Sequence, residues 1–532
     1  MTRENAARSA AVMFALLPLL GASAAVPAAH CRTADKVESG LQGQTTQAEI
    51  DSGASAKGFN CNADVVGQYQ GEGASWQLTA WKNCAYFDQR LNSAETHPGT
   101  VVMDVSDPKN PKASTWLTEP SMIDPWESLK VNSTRQLLGA GQRPTQSAGF
   151  PGTGFAIYDI SQDCAHPTLK SSINIPGSLG HTGQWAPDGN TYYITPLQNK
   201  PSLEAIDTSD PANPKLLPCG AGTLGCGSDG FFTAPPPVPL PRFHDIDFSK
   251  DGNTAYLTMF GTFGTPSTAA SNGLLILDVS DFQQRRPNPA YRVISSLTWD
   301  DGSVGAQQAL PIKINNKPFI LFSDEGSGGT AACSQGKSGS GFPRLIDISD
   351  PKNPTVTAKI QLAVHDPANC SAVVAAPVTP TGGFFFGHSC HYCNVDDADN
   401  AKIAACNCFA AGLRFFDISN PAAVKEVAYI KPPAQGTKVL PGSQYANTVP
   451  ANFTRNFDWS TSKVSFPKDR GMSSGDVWTT SQDNGFMVVH LDSSVTGGHS
   501  GCASVDASLG GLIAFGLVQL LQRRRRRSGA DA

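Results

Sequence analysis

The chain has 532 residues, 40% of them apolar and 16% charged, with 51 glycines, 39 prolines and a formal charge of −5. That apolar share excludes disorder over the whole length, the helix breakers argue against a long helical bundle, and a mildly acidic balance gives no bulk attraction to nucleic acid. Many short strands joined by turns suit such a composition.

Residues 1–24 read as an export signal. Arg3 and Arg8 precede an apolar run from Ala10 to Leu20, and Ala22-Ser23-Ala24 offers small residues for cleavage. The run is too short to span a bilayer. Residues 25–60 are expected to form a flexible lead-in. Of the 13 cysteines, Cys502 belongs to the tail, and the even number left in an exported chain suggests disulfides. Cys219 and Cys226 are close enough to close a small loop. Cys390, Cys393, Cys406 and Cys408 cluster in sequence, with their pairing open. In a cytosolic protein that cluster would suggest zinc; in an exported one disulfides are the better reading.

From residue 61 to 494 one phrase recurs: an apolar run, Asp, an apolar residue, Ser or Thr, and often Asp-Pro. Its copies carry Asp104, Asp159, Asp207, Asp278, Asp347 and Asp417, and a seventh, FMVVHLD, puts His490 at the same place. The keyed positions are 48 to 73 residues apart. The β-branched and aromatic run makes a strand. The Asp accepts backbone N–H groups of the following turn, and Pro ends the ladder. Asp-Gly turns between apolar runs, as in HTGQWAPDGNTYYITPL and HDIDFSKDGNTAYLTMF, add a hairpin before each phrase. Four strands per repeat and seven repeats predict an all-β, seven-bladed β-propeller. Two smaller β-domains are the other architecture this length allows.

The phrases DVSDPKNP and DISDPKNP and the stretch WTTSQDNGFMVVHL resemble the LVIVD repeat of bacterial extracellular propellers. That resemblance implies a fold and an extracellular setting, and no reaction. The C-terminal segment 495–532 reads as a linker and sorting tail. Gly501-Cys502 is followed by an apolar stretch from Leu509 to Leu521 and five arginines, Arg523 to Arg527, which resembles the MYXO-CTERM sorting signal. The resemblance implies cleavage by a sorting protease (a myxosortase) near Cys502, anchoring through that cysteine, and a place at the bacterial cell surface or outer membrane. A plain membrane anchor is the simpler alternative. Without residues 1–24 and those after Cys502, basic residues fall from 40 to 33 and acidic ones from 45 to 42, so the body carries −9.

A propeller aims the first strand of each blade at a central channel. Histidines recur near the starts of these strands: His181, His244 and His388, with His391 three residues further on. Neutral imidazoles with a carboxylate suit a divalent metal such as zinc, copper or iron. Glu127 opens the second blade, Asp458 the seventh, and Gln308 holds the comparable place in the fifth, which makes these three candidate ligand-binding groups. The plainer reading is that all of them tie neighbouring blades together. Asp324-Glu325 in FSDEGSGG forms a carboxylate pair, but its glycine-rich setting reads as an exposed loop. Asp396, Asp397 and Asp399 read as a polar hairpin tip. There is no Gly-x-Ser-x-Gly elbow, P-loop or HExxH motif. The expected function is therefore that of a surface-anchored binding or scaffold protein for an envelope or extracellular protein, a peptide or a glycan. The alternative is a metal-binding protein or metal-dependent enzyme with an axial histidine site.

Overall fold

The recurring phrase folds as the third strand of a sheet and the turn that leaves it. The structure is a computed structural model. It describes residues 25–495 except 91–96, 144–153, 176–179, 196–202, 219–224, 227–231, 234–241, 261–271, 375–385 and 445–454. Both expected sorting segments, and Cys219 and Cys502, lie outside the described residues.

Among the described residues, seven of the eight sheets follow one another along the chain as blades, and the eighth is the small hairpin of Gly225–Cys226 with Phe232–Thr233. Blade one runs from the strand Leu78–Trp81 to Lys112–Leu117, blade two from Lys130–Asn132 to Thr168–Asn174, and blade three from Thr182–Trp185 to Lys215–Leu216. Blade four runs from Arg242–Phe248 to Arg292–Thr298, blade five from Ser303–Ile314 to Thr355–Lys359, and blade six from Cys393–Val395 to Lys425–Lys431. Each is an antiparallel meander of four strands. Blade seven takes Val477–Ser481 and Gly485–Leu491 from the C-terminal end and its outer strand, Ala63–Tyr69, from the N-terminal end. Its innermost course forms no continuous strand and is held by the single bridges Ser460↔Ser481 and Ser465↔Trp478 and by hydrogen bonds such as Gln482 N–H to Trp459 O.

The apolar faces of consecutive blades pack on one another, and this sequence of contacts closes into a ring. Tyr86 and Val102 of blade one meet Leu138 and Ala156 of blade two. Similar clusters join two to three, three to four, four to five, five to six and six to seven. The seventh joins Phe486 and Val488 back to Phe87 and Met103 of blade one. Together with the shared seventh sheet, this makes the all-β fold a single seven-bladed propeller. The other expected architecture, two smaller β-domains, does not match it.

The keyed aspartates do what their position implies. Asp104, Asp159, Asp207, Asp278, Asp347 and Asp417 each accept the backbone N–H of the serine two residues on, at 2.8 to 3.0 Å. In blade seven the turn bond is made by Asp492 to Ser494, at 2.9 Å, and not at His490. There the third strand runs on to Leu491, because it must also pair with Ala63–Tyr69. His490 instead meets Asp476 at 2.8 Å.

Residues 25–60, expected as a flexible lead-in, are packed against blades five to seven. Val26 N–H donates to Gln361 O, Cys31 is disulfide-bonded to Cys61, and Phe59–Cys61 adds a fifth strand to blade six. Glu38 places a carboxylate against the buried Arg414, 2.8 Å away. The short helix Gln47–Asp51 is capped reciprocally by Thr46 and Glu49. Composition misleads here because this segment's stability comes from partners remote in sequence. The four clustered cysteines pair across the blade-six hairpin, Cys390 with Cys408 and Cys393 with Cys406. Cys84–Cys164 and Cys333–Cys370 are further bridges.

Candidate metal centre in the central channel

The first strands run side by side around the axis, so the residues near their starting ends face one another across the channel. Glu127, His181, His244, Gln307 and His391 arrive in this way from blades two, three, four, five and six. Glu325 joins them from the second strand of blade five, Lys317–Ser327. All but His181 are at most 5% exposed, so the group is shut away from bulk water. Trp126, immediately before the central glutamate, holds a left-handed backbone at φ 53°. Such strain on a bulky residue costs on the order of 1–3 kcal/mol and clusters at functional sites.

Glu127 is the hub. Its Oε1 lies 2.9 Å from His391 Nε2 and accepts a hydrogen bond from Gln307 Nε2 at 3.2 Å. Its Oε2 lies 3.3 Å from His181 Nε2 and 3.2 Å from His244 Nε2. The two imidazole nitrogens are 3.1 Å from each other. Glu325 stands behind, with its oxygens 3.3 Å from His391 Nε2 and 4.0 Å from His244 Nε2. One ligand atom each from Glu127, His181 and His244 fits within a 4.8 Å span. His181 and His244 are in mutual hydrogen-bond range and Gln307 donates to Glu127, while Glu127 Oε2 lacks an aligned donor. Imidazole nitrogens and a carboxylate gathered this closely form a donor set that one cation could occupy.

The ring orientations are set from behind. His391 Nδ1 meets the backbone carbonyl of Thr461 at 2.6 Å, which turns Nε2 toward Glu127. His244 stacks on Phe260. A carbonyl behind one imidazole nitrogen is a common device for fixing the tautomer of a metal-binding histidine. Above the cluster Trp76 and Trp126 approach His391 and His181, with ring centroids 5.2 and 5.9 Å apart, and Arg143 stacks on Trp126 at 3.5 Å.

Burial pushes the His244 imidazolium down to about 3, so the ring is neutral at physiological pH. Burial would raise the Glu127 carboxyl, but the facing imidazoles hold it well below the usual carboxylate range. Burial would also lower His391, yet its contacts with Glu127 and Glu325 lift it to about 9. Burial pushes Glu325 up to about 7, with His391 opposing it. A dication at this point would displace the His391 proton, and the Glu127 and Glu325 carboxylates would balance its charge. A histidine-rich set with carboxylate suits zinc, copper or iron better than magnesium or calcium, which prefer all-oxygen shells.

The sequence-predicted residues divide clearly. His181, His244, His391 and Glu127 come together. His388 does not: it sits on the far side of blade six, where its carbonyl faces His365 Nε2 at 2.8 Å and its ring lies near Lys431 and Arg414. Gln308 gives way to its neighbour. Register shifts around Gly305 and Ala306 in Ser303–Ile314 turn Gln307 to the axis, while Gln308 Oε1 accepts the Cys393 N–H at 2.9 Å. One residue of slip in a strand exchanges the two faces. Asp458 is absorbed within blade seven, accepting Trp459 N–H at 2.9 Å, Asp483 N–H, Ser481 Oγ and Asn484 Nδ2. Glu325, expected on an exposed loop, is buried in a strand beside Asp324, which pairs with the buried Arg344 at 2.5 Å. The glycines around this pair permit close packing (Gly341 lies against the Asp324 carbonyl) and do not make a loop.

No known family's sequence pattern matches the chain, and no curated protein matches it in sequence. Solved structures of similar outline include the β-propeller domain of Cps50 (Swd1) from Myceliophteria thermophila, with 9% identity and a TM-score of 0.46 over 80% of this chain and 98% of that one. A hypothetical selenium-binding protein from Sulfolobus tokodaii matches at 15% identity and a TM-score of 0.41, covering 65% of this chain and 73% of that one. Hydrazine synthase from Kuenenia stuttgartiensis matches at 10% identity and a TM-score of 0.37, covering 66% and 77%. At these scores the likeness is one of outline, and no role is taken from it.

Proposed function

We propose that this chain is an exported, surface-held binding propeller, and that the ligand its geometry supports best is a divalent transition-metal ion. A propeller fold is compatible with a binding role, but fold alone does not choose a ligand. The observation that carries the choice is the convergence of His181, His244 and His391, from three blades, on Glu127 from a fourth, each within 3.3 Å of one of its oxygens. Glu325 completes the charge balance.

The exported setting is supported by the signal-like residues 1–24, the disulfides and the resemblances to the LVIVD repeat and the MYXO-CTERM tail. In this reading a sorting protease processes the tail near Cys502. The broad faces of the ring are then free to meet an envelope protein, a peptide or a glycan. Elemental analysis of the protein purified from metal-replete medium tests the metal. About one zinc, copper or iron per chain is expected, and a metal-free protein that also takes up none on dialysis overturns the reading.

A further inference from the structure

The first strands end on the opposite mouth of the channel, and there the blades diverge around a cavity of about 530 Å³. That volume lies in the range of small-molecule sites. Its wall is apolar over much of its area, with Val131, Phe248, Leu310 and Ile312. Lys130 lines it, and this side chain has no visible structural purpose. The residue is only 5% exposed, and its ammonium borders the cavity with no hydrogen bond or ion pair to it among the described residues. The face of Tyr392 lies 5.2 Å from Nζ to ring centroid.

A largely buried cation is stabilised by a charged or carbonyl partner, and the other buried lysine shows the ordinary solution. Lys431 donates to Gln44 O at 2.8 Å and lies 3.4 Å from Glu38. Lys130 has only longer-range company. Asp245 is nearby but turned to the Ile246 N–H at 2.9 Å, and burial raises its carboxyl to about 6. Asp247, whose carboxyl burial also raises, accepts the Phe248 N–H and has Lys463 as its largest compensating charge. Of the carboxylates that line the cavity, Asp247 accepts the Phe248 N–H and Asp399 pairs with Lys250 at 3.1 Å, so the Lys130 ammonium is left bordering the open cavity.

We propose that this opposite mouth is a second binding site, for a small monocarboxylate with an apolar body, whose carboxylate pairs with Lys130 while the body lies against Val131, Leu310 and Ile312. The site is separate from the metal centre and stands whether or not a metal is bound there. Pairing in a low-dielectric pocket strengthens the ion pair, and the apolar wall adds burial area.

The probe is benzoate, titrated into the full-length purified chain by calorimetry, with benzyl alcohol and benzylamine as uncharged and cationic matches of the same shape. Benzoate is expected to bind at least tenfold more tightly than either, and Lys130→Met to remove that preference. Val131→Trp, which fills the cavity and leaves Lys130 in place, is expected to abolish binding of all three. The comparison of the three compounds on the wild-type chain needs no variant, so a poorly folding Lys130→Met does not protect the proposal. No benzoate binding to the wild-type chain, equal binding of benzyl alcohol, or full benzoate affinity in a folded Lys130→Met overturns it. Metal content measured on the same samples keeps this outcome distinct from that of the metal centre.

Discussion

The Nε2 atoms of His181 and His244 stand 3.1 Å apart, on blades three and four, with Glu127 Oε2 3.3 and 3.2 Å from them. Two nitrogens bound tetrahedrally to one zinc at 2.0–2.1 Å would stand about 3.3 Å apart. The spacing is therefore close to that of two ligands on one ion. Two neutral imidazoles could instead share a proton, but Glu127 Oε2 would then remain unsatisfied.

This relationship ranks the side chains by their expected effect on metal affinity. His181→Ala, His244→Ala and Glu127→Gln are each expected to abolish stoichiometric metal. Gln307→Ala, which only orients Glu127, is expected to weaken affinity about 10- to 100-fold. His388→Ala and Gln308→Ala are expected to leave metal content unchanged, because neither side chain faces the cluster. Elemental analysis with competition against a chelator reads all six. Metal retained in His244→Ala contradicts the ligand set.

His365 makes stability pH-dependent. Its Nδ1 accepts the Leu362 N–H at 3.1 Å and its Nε2 faces His388 O at 2.8 Å, so the ring must carry its proton on Nε2 alone. Burial lowers its imidazolium to about 4, against 6.5 for the ordinary group. A lowered histidine binds its second proton more readily in the unfolded chain. Its contribution is then fully present above pH 6.5 and lost as pH falls toward 4. The slope is at most about 1.4 kcal/mol per pH unit. Chemical denaturation of wild type and His365→Gln at pH 7.5 and 4.5 isolates the effect. The gap between them is expected to shrink at the lower pH, and a constant gap contradicts it.

The turn aspartates are worth the loss of a capping acceptor. Asp347→Ala removes the acceptor for the Ser349 N–H and is expected to cost about 1–2 kcal/mol. The change should appear as a lower urea midpoint with an unchanged m-value. An unchanged midpoint would show that the turn holds without its side chain.

The two bridges across the blade-six hairpin bracket His391. Cys393→Ser with Cys406→Ser removes one of them, which closes a sequence separation of 13. A loss of about 2–3 kcal/mol is expected from a loop of that length. Metal affinity should fall with it, because the strand that positions His391 is less constrained. A stability loss with full metal affinity would show that Thr461 O alone sets the ring.

Much of the fold was readable because a repeat states its strand and turn several times. Asp104 and Asp347 lie far apart in the chain and make the same bond to a serine two residues on, so the turn chemistry is local. His181, His244 and Glu127 were readable for a related reason: each sits near the start of a first strand, and a propeller points those strands at its axis. Where local reading failed, the deciding partners were remote. Gln308 lost its place to Gln307 through register shifts in one long strand, and Glu325 was hidden by glycines that look like a loop. Residues 25–60 look flexible until Glu38 meets Arg414, 376 positions away.

By itself, then, the sequence determined the repeat, the strand and turn pattern and the histidines that face the axis, because periodic patterning and turn chemistry act over a few residues. Only the tertiary structure decided which histidine joins the cluster, which glutamine supports it, and that Lys130 faces a cavity without a partner. Those outcomes depend on register and on contacts between blades, which closure of the ring brings together from distant parts of the chain.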